Sequence, residues 1–372
     1  MKKLTLQEAT DILVGCTILG TGGGGDLSKG IQLVKEVLEN GKEIKMLDFD
    51  EIDDENFYVN PYYCGSLSPE DEEEIKKPQE EYDEYDEAVL AVESLEEYMD
   101  VKFDGVVSIE YGGGNTASAM ATAAKMDKCI VDCDAAGRAV PELQFSTYGI
   151  KKYPIYPFSV ATKYGDAVIF PKVLSDERAE ALSRNMAVVT DNMVAMADHP
   201  IKGSELKTSV IPSALSYAGM VGKAQREAVE NGEDPIQKII DVSEGYELFR
   251  GKVAEGTEWA IKNGFTTGTI LIDGIGEYKS QNFKIWYRNE NMVSWKNGEV
   301  YVTCPDLICV LKNKTGYPIT NPNCKEGEEV AVLGFKAHDL WRSEDGLKLL
   351  NPGFFGFKDI KYIPIEEVVS NK

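Results

Sequence analysis

Two glycine runs constrain this chain more than any other feature. Gly20-Thr21-Gly22-Gly23-Gly24-Gly25 separates two helical patterns, and Gly112-Gly113-Gly114 separates a short apolar run from an alanine-rich stretch. Consecutive glycines lose much chain entropy on folding, so such runs are expected where the backbone bends sharply or approaches another group closely. Ahead of the first run, Thr5 and Glu8 have capping-box spacing, and Leu6, Ala9, Ile12 and Leu13 recur at helical intervals. Behind it, Ile31, Val34, Val37 and Leu38 give a second helix that closes at Asn40-Gly41. The run fits GxGxxG, with Asp48 near the distance of a ribose-binding acid, but the dinucleotide fingerprint needs a strand before the glycines and here a helix precedes them. What remains is a turn whose N–H groups, at a helix start, suit an anionic or carbonyl oxygen.

The second run has the strand that the first lacks. Val106-Val107-Ser108-Ile109 leads into Glu110-Tyr111-Gly112-Gly113-Gly114-Asn115, the helix-favouring Thr116 to Lys125 follows, and Cys129-Ile130-Val131 then runs into Asp132-Cys133-Asp134. With strand-like Ile44 to Leu47 upstream, this alternation predicts an α/β domain with a mainly parallel sheet over residues 1–171. Past Pro171 the pattern predicts helices over Asp176 to Ala197 and Ala214 to Glu230, then strands. Phe283, Ile285 and Tyr287 alternate, Asn297-Gly298 is a hairpin signal, and Val300 to Val310 and Val330 to Phe335 continue in kind. Residues 172–372 are therefore expected to form a C-terminal α+β, β-rich domain. The acidic stretch from Pro69 to Asp100 carries an apolar stripe in its second half (Ala88, Val89, Val92, Leu95, Tyr98), which predicts a solvated helix.

Charge narrows the partners. Lys+Arg 39 against Asp+Glu 63 gives a net charge of −24, a field that repels nucleic acid and anionic membrane surfaces. No stretch approaches the roughly 20 apolar residues of a membrane span, and no secretion signal stands at Met1 to Glu8. Seven scattered cysteines read as reduced thiols, so a cytoplasmic location is expected.

Ligands of open α/β sheets bind beyond the carboxyl ends of strands. That rule selects Glu110, Asp132 and Asp134, three acids that could supply a general acid and base or hold a divalent metal, or could instead cap helices and pair with Arg138. In Gly137-Arg138-Ala139-Val140-Pro141-Glu142-Leu143-Gln144, Arg138 could fork onto a substrate carboxylate or onto Asp134, and Pro141 fits a helix start. Cys129 and Cys133 would stand roughly 13 Å apart along a strand, too far to grip one zinc. With only His199 and His338 present, a three-histidine zinc centre or a serine triad is disfavoured. Asn289-Glu290-Asn291 interrupts a strand-like run as a turn or as part of a cleft wall.

The two glycine runs, Glu110 to Asn115, Asp132-Cys133-Asp134-Ala135-Ala136-Gly137-Arg138 through Gln144, Asn289-Glu290-Asn291 and Pro305-Asp306-Leu307-Ile308 occur in the order found in the S-methyl-thiohydantoin desulfurase family, which the chain resembles from about Leu13 to Tyr362. That family is associated with hydantoinase and oxoprolinase proteins. The resemblance implies an N-terminal α/β domain, a separate C-terminal domain, and hydrolytic loss of thiol from an S-methylated thiohydantoin, with a small heterocycle as substrate. For that reaction Glu110, Asp132, Asp134 and Glu142 are the candidate acids and bases. Gly22, Gly23, Gly24, Gly25, Gly112, Gly113, Gly114, Asn115, Arg138, Gln144, Asn289 and Glu290 are the candidate substrate-binding residues. Cys16 and Cys133 lie beside the motifs as candidate nucleophiles or as core thiols. The scheme requires no cofactor, although a divalent metal could sit at Glu110, Asp132 and Asp134. A homo-oligomer and a hydantoinase-type partner are expected. A nucleotide-binding or regulatory subunit of a hydantoinase-type assembly, with Lys29 the near cation, stays open, as does a non-enzymatic small-molecule sensor.

Overall fold

A computed structural model describes residues 1–65 and 85–370, so the acidic residues from Asp71 to Glu84 lie outside the described residues. The first sheet contains β1 (Lys2–Lys3), β2 (Lys45–Leu47), β3 (Phe57–Gly65), β4 (Phe103–Ser108), β5 (Cys129–Asp134), β6 (Phe158–Ala161), β7 (Ala167–Phe170), β8 (Met193–Lys202) and β9 (Ile211–Pro212). Its order is β1-β2-β5-β4-β3-β8-β6-β7, with β9 beside β5. The central strands β2, β5, β4 and β3 run parallel, as the strand–helix alternation requires. The flanking strands are antiparallel, so the sheet is mixed.

Eight helices belong with this sheet: α1 (Leu6–Leu19), α2 (Leu27–Glu39), α3 (Glu87–Met99), α4 (Asn115–Lys125), α5 (Thr147–Lys151), α6 (Asp176–Val188), α7 (Gly203–Ser209) and α8 (Ala214–Asn231). The capping box forms at α1: the Glu8 carboxylate accepts from Thr5 N at 2.9 Å and Thr5 Oγ1 accepts from Glu8 N at 3.2 Å. From Asp11 to Leu19 this helix is buried on every side, because α8 covers one flank. A Cβ on Gly15 would lie 1.7 Å from Ala218 O, so the two backbones touch there.

The second sheet is wholly antiparallel. It contains β10 (Tyr246–Val253), β11 (Glu258–Lys262), β12 (Phe265–Gly274), β13 (Asn282–Arg288), β14 (Glu290–Lys296), β15 (Glu299–Thr303), β16 (Leu307–Lys312) and β17 (Glu329–Phe335), in the order β15-β14-β13-β12-β10-β17-β16 with β11 on β12. Asn297 and Gly298 both take positive φ (53° and 84°), the turn that the sequence predicts between β14 and β15. One core cluster joins the two units, since Leu13, Cys16 and Ile18 of α1 belong with Met292, Cys304, Leu307 and Leu333.

Three sequence expectations change. The helix expected from Asp176 to Ala197 stops at Val188; β-branched Val189-Thr190 and the positive-φ pair Asp191-Asn192 turn the chain into β8. The chain therefore returns to the first sheet beyond Pro171 and leaves it only after Pro212. No helix starts at Pro141, because Val140 N donates to Glu110 and Leu143 N to Glu180, and the next helix begins at Thr147, capped by Ser146.

Candidate active site

A cavity of about 640 Å³ lies where the first glycine run and α6 face the second sheet, a size typical of small-ligand sites. Its walls include Gly22 to Asp26 and Lys29, Tyr62 to Gly65 of β3, Glu110, Gly114 and Asn115, Val140 to Leu143, Glu180 and Arg184 of α6, and Thr266, Asn289, Glu290 and Asn321 from the second sheet and its loops.

The first glycine run is stitched to both units. Thr21 O accepts from Asn291 N and Gly22 O from Asn321 N, each at 2.8 Å, while Gly24 O accepts from Gly114 N at 2.9 Å and Asn115 N at 3.1 Å. The N–H groups of Gly114 and Asn115, at the start of α4, are thus spent on the other glycine loop, while Thr116 N donates to Gly112 O. The N–H groups of Gly24, Gly25 and Asp26 have no partner among the described residues, and all three residues line the cavity. Gly23 packs on Glu290, for a Cβ there would fall 1.9 Å from Glu290 Oε1.

Glu110 and Glu290 come from opposite units. Glu110 Oε1 accepts from Asn115 Nδ2 at 2.6 Å and Oε2 from Val140 N at 2.7 Å; burial nevertheless pushes its carboxyl up to about 7. Glu290, 2% exposed, sits at the start of β14, just after the positive-φ turn residue Asn289. Its Oε2 has no hydrogen-bond partner, and burial, then the charge of Glu110, holds the carboxyl well above the ordinary range. Glu142 also lines the wall, paired with Arg288 at 2.9 Å and accepting from Gln144 Nε2 at 2.9 Å. Gln144 therefore serves Glu142 and does not itself line the cavity. Asn289 Oδ1 accepts from Thr266 N at 2.9 Å and its carbonyl from Asn321 Nδ2 at 2.8 Å, which fixes the turn that presents Glu290.

Several expected site residues are placed elsewhere. Asp132 accepts from Ser216 N at 2.9 Å and Ser216 Oγ at 2.6 Å, so it caps α8. Asp134 Oδ1 accepts from Ala136 N and Gly137 N at 2.8 and 2.6 Å, closing the turn after β5; burial pushes this acid up to about 7. Arg138 is fully buried and pairs with neither Asp134 nor the cavity. It donates to Pro305 O at 2.7 Å, to Ala139 O at 3.1 Å and to Thr21 Oγ1 at 3.3 Å, bridging the two units through neutral oxygens. Gly112 and Gly113 pack backbone to backbone on Gly24 and Leu27. Glu110, Asp132 and Asp134 thus have separate partners, and among the described residues no group of three or more His, Cys, Asp or Glu is placed to hold a metal ion. Cys16 and Cys133 are buried away from the cavity, and burial raises both thiols. His199 is buried against Asp198 (2.9 Å) and Tyr148, and His338 caps a short helix.

Sequence reasoning missed the α6 wall. Glu180 accepts from Leu143 N at 3.1 Å and pairs with Arg184, whose guanidinium also donates to Gly65 O. Arg184 and Arg288 stack on Phe265, 4.5 and 3.8 Å from its ring centre. The available signal was a charge among small buried residues at helical spacing: Ala179, Glu180, Ser183 and Ala187.

Residues 7–172 match the family described as S-Me-THD-like, N-terminal domain, and residues 174–365 the one described as S-Me-THD-like, C-terminal domain. No curated protein matches the chain. An X-ray structure of a protein from Chromobacterium violaceum superposes with a TM-score of 0.76 at 20% identity, covering 98% of this chain and 100% of that one, which establishes a shared fold. No described helix is long and apolar enough to cross a membrane. By both of its domains, the chain belongs to the S-Me-THD-like family, that of the S-methyl-thiohydantoin desulfurase-like proteins.

Proposed function

We propose that the cavity hydrolyses an S-methylated thiohydantoin-type ring, with water replacing the thioether and methanethiol leaving. The observation that carries this reading is the pair of buried carboxyls, Glu110 and Glu290, facing one cavity from two units, the second with an unpartnered oxygen. Near neutral pH such a pair holds one proton more readily than none, since each charge opposes the other. The ionised member takes a proton from water as it adds to the sulfur-bearing carbon. The protonated member supplies the proton that the reaction must deliver. The free N–H groups of Gly24, Gly25 and Asp26 are suited to hold a ring oxygen or the developing oxyanion.

Glu142, tied to Arg288 and Gln144, is a positioning residue in this scheme; Asp132 caps α8, Asp134 closes a turn through Oδ1 while its Oδ2 has no hydrogen-bond partner among the described residues, and both leave the catalytic set because neither lines the cavity. The test is methanethiol release from an S-methyl thiohydantoin by the purified full chain, beside Glu290→Gln and Asp132→Asn. Glu290→Gln should lose roughly 10²- to 10⁴-fold in rate, while Asp132→Asn keeps turnover within a few fold. Equal turnover of wild type and Glu290→Gln contradicts the assignment. No thiol release together with tight nucleotide binding moves the reading to a nucleotide-binding regulatory subunit.

A further inference from the structure

The cavity wall carries Asp26, Glu110, Glu142, Glu180 and Glu290 against two cations, Lys29 and Arg184. Arg184 is neutralised by Glu180, and Glu142 by Arg288. Lys29 stands exposed in the first turn of α2. Among the described residues, no Lys, Arg or His forms an ion pair with Glu110 or Glu290. The buried cation associated with Glu290, Arg138, spends its donors on Pro305 O, Ala139 O and Thr21 Oγ1. Glu290 Oε2 is therefore a buried carboxyl oxygen with no hydrogen-bond partner, in a cavity where neither carboxyl of the Glu110–Glu290 pair has an ion-pair partner among the described residues. Burying a carboxyl oxygen in this way is costly unless a partner arrives.

We infer that the missing partner is the ligand, and that the site takes its ring as a cyclic amidinium: a five-membered ring whose ring nitrogen, beside the carbon under attack, bears the proton and the positive charge. The inference rests on the proposed function only in taking this cavity as the substrate site. An S-methylated thiohydantoin has that form when protonated, because its sulfur-bearing carbon belongs to an isothiourea unit. Entering neutral, the ring takes the proton of Glu290 at its imine nitrogen, so acid and base become carboxylate and amidinium without change of net charge. Protonation draws electrons from the sulfur-bearing carbon, where water adds. Glu110 accepts one water proton and passes it to sulfur as the carbon–sulfur bond breaks. The remaining hydroxyl proton returns to Glu290 as the carbonyl forms. The products are methanethiol and the ring amide, and both acids are restored. The same arrangement disfavours rings that ionise to anions.

The experiment compares two unreactive five-membered rings of nearly equal size by calorimetric titration of the full chain at about neutral pH: cationic 2-amino-2-imidazoline and neutral 2-imidazolidinone. A charge-assisted contact to a buried carboxylate should make the cation bind roughly tenfold to a hundredfold tighter. Glu290→Gln should remove that preference while leaving the affinity for the neutral ring within a few fold, and Glu110→Gln should reduce it. Equal affinities in the wild type, or a tighter neutral ring, overturn the inference without need of a variant. So does binding of the cationic ring that appears only with added divalent metal. Because binding is read without turnover, absent methanethiol release with the cation preference intact would sink the proposed reaction alone, and release without the preference would sink the amidinium alone.

Discussion

The two glycine loops look alike as sequence and do different work in the fold. Gly22 to Gly25 reaches the cavity: its carbonyls tie it to Asn321 and to Gly114 and Asn115 at the start of α4, Thr21 O just ahead of it holds Asn291 N, and its last N–H groups have no partner among the described residues. Gly112 and Gly113 lie behind it, where their missing side chains let backbone meet backbone; a Cβ on Gly112 would come within 2.1 Å of Gly24 O and 2.2 Å of Gly24 Cα. A glycine run is therefore not itself a ligand signal, since one run shapes the site and the other holds the first in place. The acids divide in the same way. Glu290 has an oxygen without a donor, whereas Asp132, equally buried, has two donors from Ser216.

That contrast can be broken by substitution. Gly112→Ala, which drives a methyl into backbone, should cost about 3 kcal/mol of stability or more, measured by chemical denaturation. Gly23→Ala meets the Glu290 side chain first, its Oε1 at 1.9 Å and its Cγ at 2.8 Å, rather than backbone, so it should cost less stability than Gly112→Ala and lower methanethiol release roughly 10²-fold by displacing that group. The reverse pattern, with activity lost at Gly112 and stability at Gly23, would show that the loops have been assigned to the wrong tasks.

Local signals in the chain were legible because their partners are near in sequence. The Thr5–Glu8 box, the stop at Asn40-Gly41, the Asn297-Gly298 turn and the strand–helix alternation through Asp134 all form as read. The strand-end rule selected Glu110 together with the whole Asp132 to Gln144 string; Glu110, Gly114, Asn115 and residues 140–143 line the cavity with the first glycine run, while Asp132, Asp134, Arg138 and Gln144 do not. What the residues could not disclose was how the acids divide. Asp132 becomes a cap only because Ser216 arrives 84 positions later, and Arg138 becomes a bridge only because Pro305 O lies opposite. Glu180 and Arg184 were hidden inside a helix that read as ordinary and slightly too long, since the antiparallel return of β8 is a tertiary choice.

Smaller effects sharpen the division of the acids. Asp132→Ala removes the acceptor for Ser216 N and Oγ and should cost about 1 kcal/mol, the usual worth of a cap, with kcat/KM retained. Asp134 offers a pH signature. Its carboxyl is raised from 3.8 to about 7 in the fold, so between these values the folded chain binds more protons than the unfolded one, and this group lowers stability as pH rises. Asp134→Asn keeps an oxygen for Ala136 N and Gly137 N, and should flatten the fall of the melting temperature across that range without changing the rate of thiol release.

The most direct test of the central claim is the pH dependence of kcat/KM for methanethiol release, measured in the wild type and in Glu110→Gln. With Glu110 raised to about 7 beside a second carboxyl that burial also holds well above its ordinary range, the wild type should give a bell whose two limbs belong to the pair, one of them near neutrality. Glu110→Gln should lose the limb near 7 and fall well below wild type throughout. A Glu110→Gln profile with the wild-type shape and height would contradict the account, because the pair could then not be the groups that move the proton.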